Sequence, residues 1–283
     1  MPVILKNEWK SGWKSLLIWA LSVGGMGLIC IILYKGMEDS MADMAESFAT
    51  MGTFSDAFGM STLSIATLKG YFATEIGTIH ALGSSMFAAS IATVILSKEE
   101  DGHTAEYTFT LPVSRGKVIA MKFFAVLLNL ICFTLICGML YEVGFVFLGE
   151  TDFGSIFTEY MFFQLIMNIE IAAICFVISA VSKKNRLGIG ISVAMLLYVY
   201  DLMARVVPDL KDAIFISPFS YSNATSIFAG ESKDCVALII GFSLLNCLEF
   251  FVFRKMKSSS TINHPLCGCE SNVIQKKLPF RVQ

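Results

Sequence analysis

Six long apolar blocks dominate the sequence and decide what the chain can fold into. They lie at about 16–34, 71–97, 118–141, 160–181, 187–207 and 235–253. The hydrocarbon core of a bilayer takes about 20 apolar residues per helix, and each block meets that length. Charged residues make up only 16 % of the chain, and a soluble domain needs more to cover its surface. The sequence therefore predicts an all-α, polytopic membrane protein with six transmembrane helices.

The distribution of basic residues predicts how these helices are oriented. If the N-terminus is cytoplasmic, 16 of the 21 Lys and Arg residues fall in cytoplasmic segments. The outer side keeps only Lys35, Lys69, Arg205, Lys211 and Lys233. Because positively charged loops stay on the cytoplasmic side of a membrane, we expect both termini to be cytoplasmic.

The first residues of the chain have the pattern of an amphipathic helix. Trp9 and Trp13 recur at helical spacing within residues 2–14. Lysines form the adjacent stripe: Lys6, Lys10 and Lys14. An apolar face edged by lysines and carrying tryptophan is typical of a helix in the membrane interface. We expect a short interfacial helix here, followed by the first transmembrane helix and a long outer loop at about 35–70.

The second apolar block carries a row of small residues. They recur every four positions: Gly77, Ala81, Ser85, Ala89 and Thr93. Small side chains let two helix backbones approach closely, which is how helices associate in lipid. The row predicts a packing face, either within one chain or between two copies of it.

The loop between the second and third blocks is charged and longer than a simple connection needs to be. Asp101 or Thr104 can cap a short helix, which Pro112 then ends. Apolar side chains nevertheless occur in this charged loop: Tyr107, Phe109 and Leu111. Exposed apolar surface rimmed by charge indicates contact with a partner. We therefore expect a helical hairpin that projects into the cytoplasm and docks on another protein.

The same loop resembles a known signature. Glu99-Glu100, Thr104-Ala105-Glu106, the run 111–115 (LPVSR) and then Lys122 resemble the E-x-GT-x-E…PVSR…K pattern of ABC exporter permeases of the second type. His103 departs from that pattern, because the family often has glycine there. The number of apolar blocks, the amphipathic N-terminal segment and the long first outer loop also fit the family.

The resemblance implies a function and a set of partners. The chain would be the membrane-spanning permease subunit of an ATP-driven exporter in a bacterial cell membrane. It would pair with a second permease chain, identical or paralogous, and with two copies of a separate ATPase subunit. The segment 98–117 would hold the coupling helix that docks on the ATPase. Its coupling residues would be Glu99, Glu100, Thr104, Glu106, Tyr107, Phe109, Leu111, Pro112 and Arg115.

The sequence holds no motif for catalysis of its own. No G-x-x-x-x-G-K-[ST] loop is present, so ATP cannot bind in the P-loop manner. We expect ATP and Mg²⁺ to be used by the partner ATPase, with no cofactor, metal or nucleic acid bound by this chain. We expect residues 1–257 to form one transmembrane domain and residues 258–283 a poorly ordered cytoplasmic tail.

Ionisable residues inside the apolar blocks are candidates for a membrane site, because a charge in lipid is costly. Glu170 lies midway along the fourth block, with Asn168 close by, and His80 lies in the second block. An ion-coupled secondary transporter that uses Glu170 and His80 is the alternative function. Asp201 and Arg205 are four residues apart, so we expect a structural ion pair.

Overall fold

The computed structural model describes residues 2–49, 52, 55, 63–102, 115–150, 154–182, 184, 186–230, 241 and 243. These residues form helices and their connections, with no strand among them. The long helices are α1 (Pro2–Ala49), α2 (Leu68–Tyr71, a π-helical turn Phe72–Ile76, then Gly77–Asp101), α3 (Arg115–Leu148), α4 (Gly154–Val181) and α5 (Leu187–Val206). The short elements are α6 (Pro208–Lys211), a 3-10 turn (Ile214–Ile216) and α7 (Ala224–Ala229).

Five of the described helices are long and apolar enough to cross a membrane. These spans are Val3–Glu38, Leu68–Glu99, Gly116–Leu148, Gly154–Val181 and Leu187–Val206. Each overlaps one of the first five predicted blocks, most of them extending beyond it, and the all-α prediction holds for this part of the chain. The sixth block, 235–253, lies outside the described residues except for Gly241 and Ser243.

Neighbouring helices alternate in direction. The hydroxyl of Tyr34 on α1 donates to the carbonyl of Ala66, just before α2, at 2.7 Å, while Glu8 at the start of α1 pairs with Lys98 near the end of α2. These two helices are therefore antiparallel, as consecutive crossings of a membrane require. The N-termini of α1 and α3 and the C-termini of α2 and α4 meet at one end of the molecule, which we call the charged end.

α1 is a single helix of 48 residues, and this corrects two expectations. The predicted interfacial helix at 2–14 is not a separate element, and the predicted outer loop begins as helix. At 1.5 Å per residue α1 is about 72 Å long, far more than the 30 Å hydrocarbon core, so it extends beyond the membrane. Leu5 and Trp9 pack against the core of the helix bundle. Their apolar face is therefore used in packing.

α2 lies at the centre of the bundle and contacts the other four long helices. Its row of small residues is a packing face within the chain. A Cβ atom added at Gly190 of α5 would lie 3.0 Å from the backbone oxygen of Ala89 and would overlap the hydroxyl of Thr93. A Cβ atom added at Gly77 would lie 2.5 Å from the Cβ of Ala224. The backbones therefore approach as closely as the small residues predict.

An aromatic cluster holds the end of the bundle opposite to the charged end. The ring of Phe72, in the π-helical turn of α2, is fully buried. Ring centroids surround it at 5.3–5.9 Å: Tyr141, Phe145, Phe157, Tyr160 and Phe228. The edge-on arrangement of most of these rings is the one that aromatic pairs prefer. Helices α2, α3, α4 and α7 are thereby joined at this end.

Candidate functional site

A buried network of charges joins three helices at the charged end. Lys122, in the second turn of α3, is only 1 % exposed. Its ammonium lies 2.6 Å from Glu99 Oε1 on α2 and 3.1 Å from Glu8 Oε1 on α1, and it donates to the backbone oxygen of Ile95 at 2.8 Å. The other carboxylate oxygen of Glu8 pairs with Lys98. α1, α2 and α3 are therefore tied together by one set of contacts, which we call the charge network.

The charge network is balanced, and this is why it can be buried. Among the side chains that the structure describes, it contains two ammonium groups and two carboxylates, and each of these charges faces an opposite one. A buried charge is costly unless it is paired and hydrogen-bonded. The C-terminal end of a helix also favours positive charge, and Lys98 and Lys122 both lie by the last turns of α2. The opposite charges and the C-terminal end of α2 therefore both stabilise the two lysines at this position.

The charge network flanks the loop that the sequence marks as the coupling segment. α2 ends at Asp101 and α3 begins at Arg115, so Lys98, Glu99 and Lys122 hold the two ends of that loop. Glu100 and Arg115 lie at these helix ends, and their side chains are outside the described part of the structure. The other predicted coupling residues lie wholly outside it: Thr104, Glu106, Tyr107, Phe109, Leu111 and Pro112.

Sequence reasoning missed Glu8. It quoted Lys122 in the signature and Lys98 in the coupling segment, but it assigned neither lysine a role in the site. A signal for them exists in the sequence. Glu8 is the first acidic residue of the chain, and the next is Glu38. Lys122 is the one charged residue in the block 118–141. A lone charge inside an apolar block needs an opposite charge from another segment, and a lone carboxylate among lysines is a candidate for it.

Glu170 and Asn168 lie on α4 where the segment 217–223 packs. The carboxylate of Glu170 is buried beside the hydroxyl of Tyr221, and its Oε1 atom has no hydrogen-bond partner among the described residues. A Cβ atom added at Gly241 would collide with this carboxylate, so position 241 lies directly against it. Asn168 is 1 % exposed, and neither of its amide atoms is bonded within the described ranges. These side chains form a buried polar patch of α4.

His80 does not join that patch. Its ring is fully buried, with Nδ1 at 3.0 Å from the hydroxyl of Tyr141 and the ring stacked on Phe133. α2 and α4 run parallel with a constant register, because Gly77 meets Tyr160 and Leu96 meets Ser179. His80 is therefore level with position 163, about seven residues, or about 10 Å, along the axis from Glu170. The structure does not bring the two residues together.

Asp201 and Arg205 form a contact one turn apart on α5. The Nε atom of Arg205 donates to Oδ2 of Asp201 at 2.8 Å, and the aspartate is 3 % exposed. Arg205 thus pairs with a buried carboxylate, which would otherwise lack an opposite charge on its own helix. The contact is local to one helix, as the spacing of four predicts.

Comparison with known proteins identifies the family of the chain. No curated protein and no solved structure gives a significant match. A family model described as ABC-2 family transporter protein matches residues 2–244, which include all five described spans and the loop that joins α2 to α3. Members of that family are membrane components of transporters and are not themselves catalysts. The chain therefore belongs to the ABC-2 transporter family, and it is a multi-pass permease of that family.

Proposed function

We propose that this chain is the membrane-spanning subunit of an ATP-driven exporter. Two permease chains would form the translocation pathway, and two copies of a separate ATPase subunit would supply the energy with ATP and Mg²⁺. Both termini and the charged end would face the cytoplasm of a bacterial cell, where the ATPase is found. The loop 103–114 would be the surface on which the ATPase docks.

The charge network is the observation that carries this proposal. A docking loop transmits force only if its ends are fixed to the helices that must move. Lys122 contacts Glu99 on α2 and Glu8 on α1, so both ends of the loop are linked to the first three membrane helices. A push on the loop would therefore reach α1 as well as the two helices that it joins. An ordinary connecting loop has no need of such a costly buried arrangement.

The ion-coupled alternative has little support. Family membership favours a permease that works with an ATPase. The register of α2 and α4 separates His80 from Glu170, so the two residues cannot form one coupling site as a direct pair. Glu170 is instead covered by position 241. We retain the exporter as the single proposed function.

The experiment is a purification of the tagged permease from its native membranes, with ATP hydrolysis measured in the eluate. Phe109→Asp places a charge in the proposed contact. Removing that charge from water costs on the order of a few kcal/mol, which corresponds to a loss of a hundredfold or more in affinity for the ATPase. We expect the hydrolysis that co-purifies with the wild-type chain to be lost from this variant. Glu106→Arg, at the rim of the same surface, should also weaken binding of the ATPase and lower the co-purifying hydrolysis.

Phe215→Asp is the matched control. Phe215 is an exposed phenylalanine in the 3-10 turn that follows α5, away from the charged end. This variant should keep the co-purifying hydrolysis. If Phe109→Asp kept as much hydrolysis as Phe215→Asp, with both proteins eluting as folded permeases, the loop would not be the docking surface.

A further inference from the structure

An open cleft begins beside the charge network and runs into the membrane-spanning part of the bundle. It has a volume of about 410 Å³ and is bounded by α1, α2, α3 and α5. This volume lies within the range of known ligand sites. Its polar lining lies near Glu8 and Lys98, and its apolar walls include Trp19, Ile91 and Ile191. The cleft is therefore amphipathic along its length.

The length of the cleft corresponds to one leaflet of a bilayer. On α1 its lining extends from Glu8 to Trp19, and these residues fall on one face of the helix with Ser11 and Ser15. Eleven residues of helix span about 16 Å, close to half of the hydrocarbon core. The apolar walls at this depth favour an acyl chain over water.

The polar groups of the cleft lie at two levels. Lys98 is one-third exposed, so its ammonium keeps donors in addition to its contact with Glu8. Asn129 on α3 is 7 % exposed, and its Nδ2 atom donates to the carbonyl of Ala125 at 2.7 Å. Its Oδ1 atom has no hydrogen-bond partner among the described residues. Gly12 faces Asn129, which places this amide about one helical turn, or about 6 Å, deeper than Glu8.

The unpaired acceptor limits what can fill the cleft. A buried acceptor without a donor costs about 1–3 kcal/mol, so the occupant should bring a hydrogen-bond donor to the level of Asn129. It should also bring an anion to Lys98 and an apolar chain to the walls beyond. A single-chain phospholipid has these three parts in this order, because its glycerol hydroxyl lies between the phosphate and the chain. A diacyl phospholipid has an ester there, which only accepts hydrogen bonds.

We propose that this cleft binds a single-chain phospholipid from the leaflet at the charged end. Its phosphate contacts Lys98, its glycerol hydroxyl donates to Asn129 Oδ1, and its acyl chain lies along Trp19, Ile91 and Ile191. Because Lys98 also pairs with Glu8, the bound lipid touches the charge network directly. The site does not depend on the proposed ATPase partner.

Trp19 provides the test, since bromine on an acyl chain quenches tryptophan fluorescence on contact. The chain has three tryptophans, so Trp9→Phe with Trp13→Phe leaves Trp19 as the single reporter. This protein is placed in phosphatidylcholine vesicles that contain one of three brominated lipids. The first is 1-acyl-lysophosphatidylcholine, the second is its 2-methoxy analogue, which lacks the hydroxyl, and the third is diacyl phosphatidylcholine.

We expect saturable quenching by the lysophospholipid at a mole fraction about fivefold lower than for the methoxy analogue, the usual worth of one hydrogen bond. The diacyl lipid should quench only in proportion to its amount. Asn129→Leu should abolish the difference between hydroxyl and methoxy lipids. Lys98→Gln should weaken both single-chain lipids by about fivefold, the effect of one lysine near a membrane surface.

Filling the cleft supplies an independent variant. Ser15→Phe should remove saturable quenching, while Ser192→Phe, on an exposed position of α5 outside the cleft lining, should leave it unchanged. Equal quenching by all three lipids in the reporter protein without further substitutions would overturn the proposal. So would a preference for the hydroxyl lipid that survives in Asn129→Leu, or saturable quenching that survives in Ser15→Phe.

Discussion

Lys122 shows how one side chain can organise a site. A lysine that is 1 % exposed requires oxygens on nearly every side, and here α1 and α2 supply them. Its position in the sequence predicts that an opposite charge is needed. It does not predict that Glu8, more than a hundred residues away, is that partner. The identity of the partner depends on the register between α1 and α3, which no local pattern encodes.

At this scale we predict that Lys122→Met destabilises the protein by about 3–5 kcal/mol, because Glu8 and Glu99 both lose their contact with its buried ammonium group. Thermal unfolding of the purified permease in detergent measures the effect. Lys117→Met, an exposed lysine on the same helix, is the control and should leave the midpoint unchanged. Adding Glu8→Gln to Lys122→Met should recover part of the lost stability. Equal unfolding midpoints for Lys122→Met and Lys117→Met would contradict the role of the charge network.

At the scale of elements, the apolar blocks predict which segments are membrane-spanning helices. They do not predict the length of α1, nor what each apolar helix face contacts. The N-terminal stripe of Trp9 and Trp13 predicts an interfacial helix, yet residues 2–14 are the start of α1. The same amphipathic pattern suits a helix that lies in the membrane interface and a helix that packs against a helix bundle. Only the pairing of Glu8 with lysines of α2 and α3 decides between them. The row of small residues on α2 predicts its contacts more reliably, because small residues in a row serve mainly to let another helix approach closely.

The contact between α2 and α5 gives the prediction that belongs to this scale. Gly190→Ala should lower stability by about 1–3 kcal/mol, because its Cβ meets the backbone of Ala89, which cannot move aside cheaply. Gly188→Ala is the matched control, since a Cβ there meets nothing within 4 Å. It should be neutral or slightly stabilising, as alanine favours helix. Unfolding midpoints of the two variants compare them, and equal values would show that α2 and α5 do not pack this closely.

At the scale of the whole molecule, the bundle has two ends of different character. Buried charges join α1, α2 and α3 at one end, and rings packed edge-on around Phe72 join α2, α3 and α4 at the other. The sequence predicts the five described spans and the break between α2 and α3, because hydropathy and charge are local. It could not predict that the polar patch of Glu170 and the ring of His80 are separate, because that depends on helix register.

The orientation of the charged end is the claim on which docking of an ATPase depends, and cysteine labelling tests it most directly. In a variant without native cysteines, Asp101→Cys marks the charged end and Asp43→Cys marks the far part of α1. We predict that a membrane-impermeant maleimide labels position 43 in intact cells and labels position 101 only after the cells are opened. Labelling of position 101 in intact cells would put the loop outside, away from any ATPase, and would contradict the proposed function.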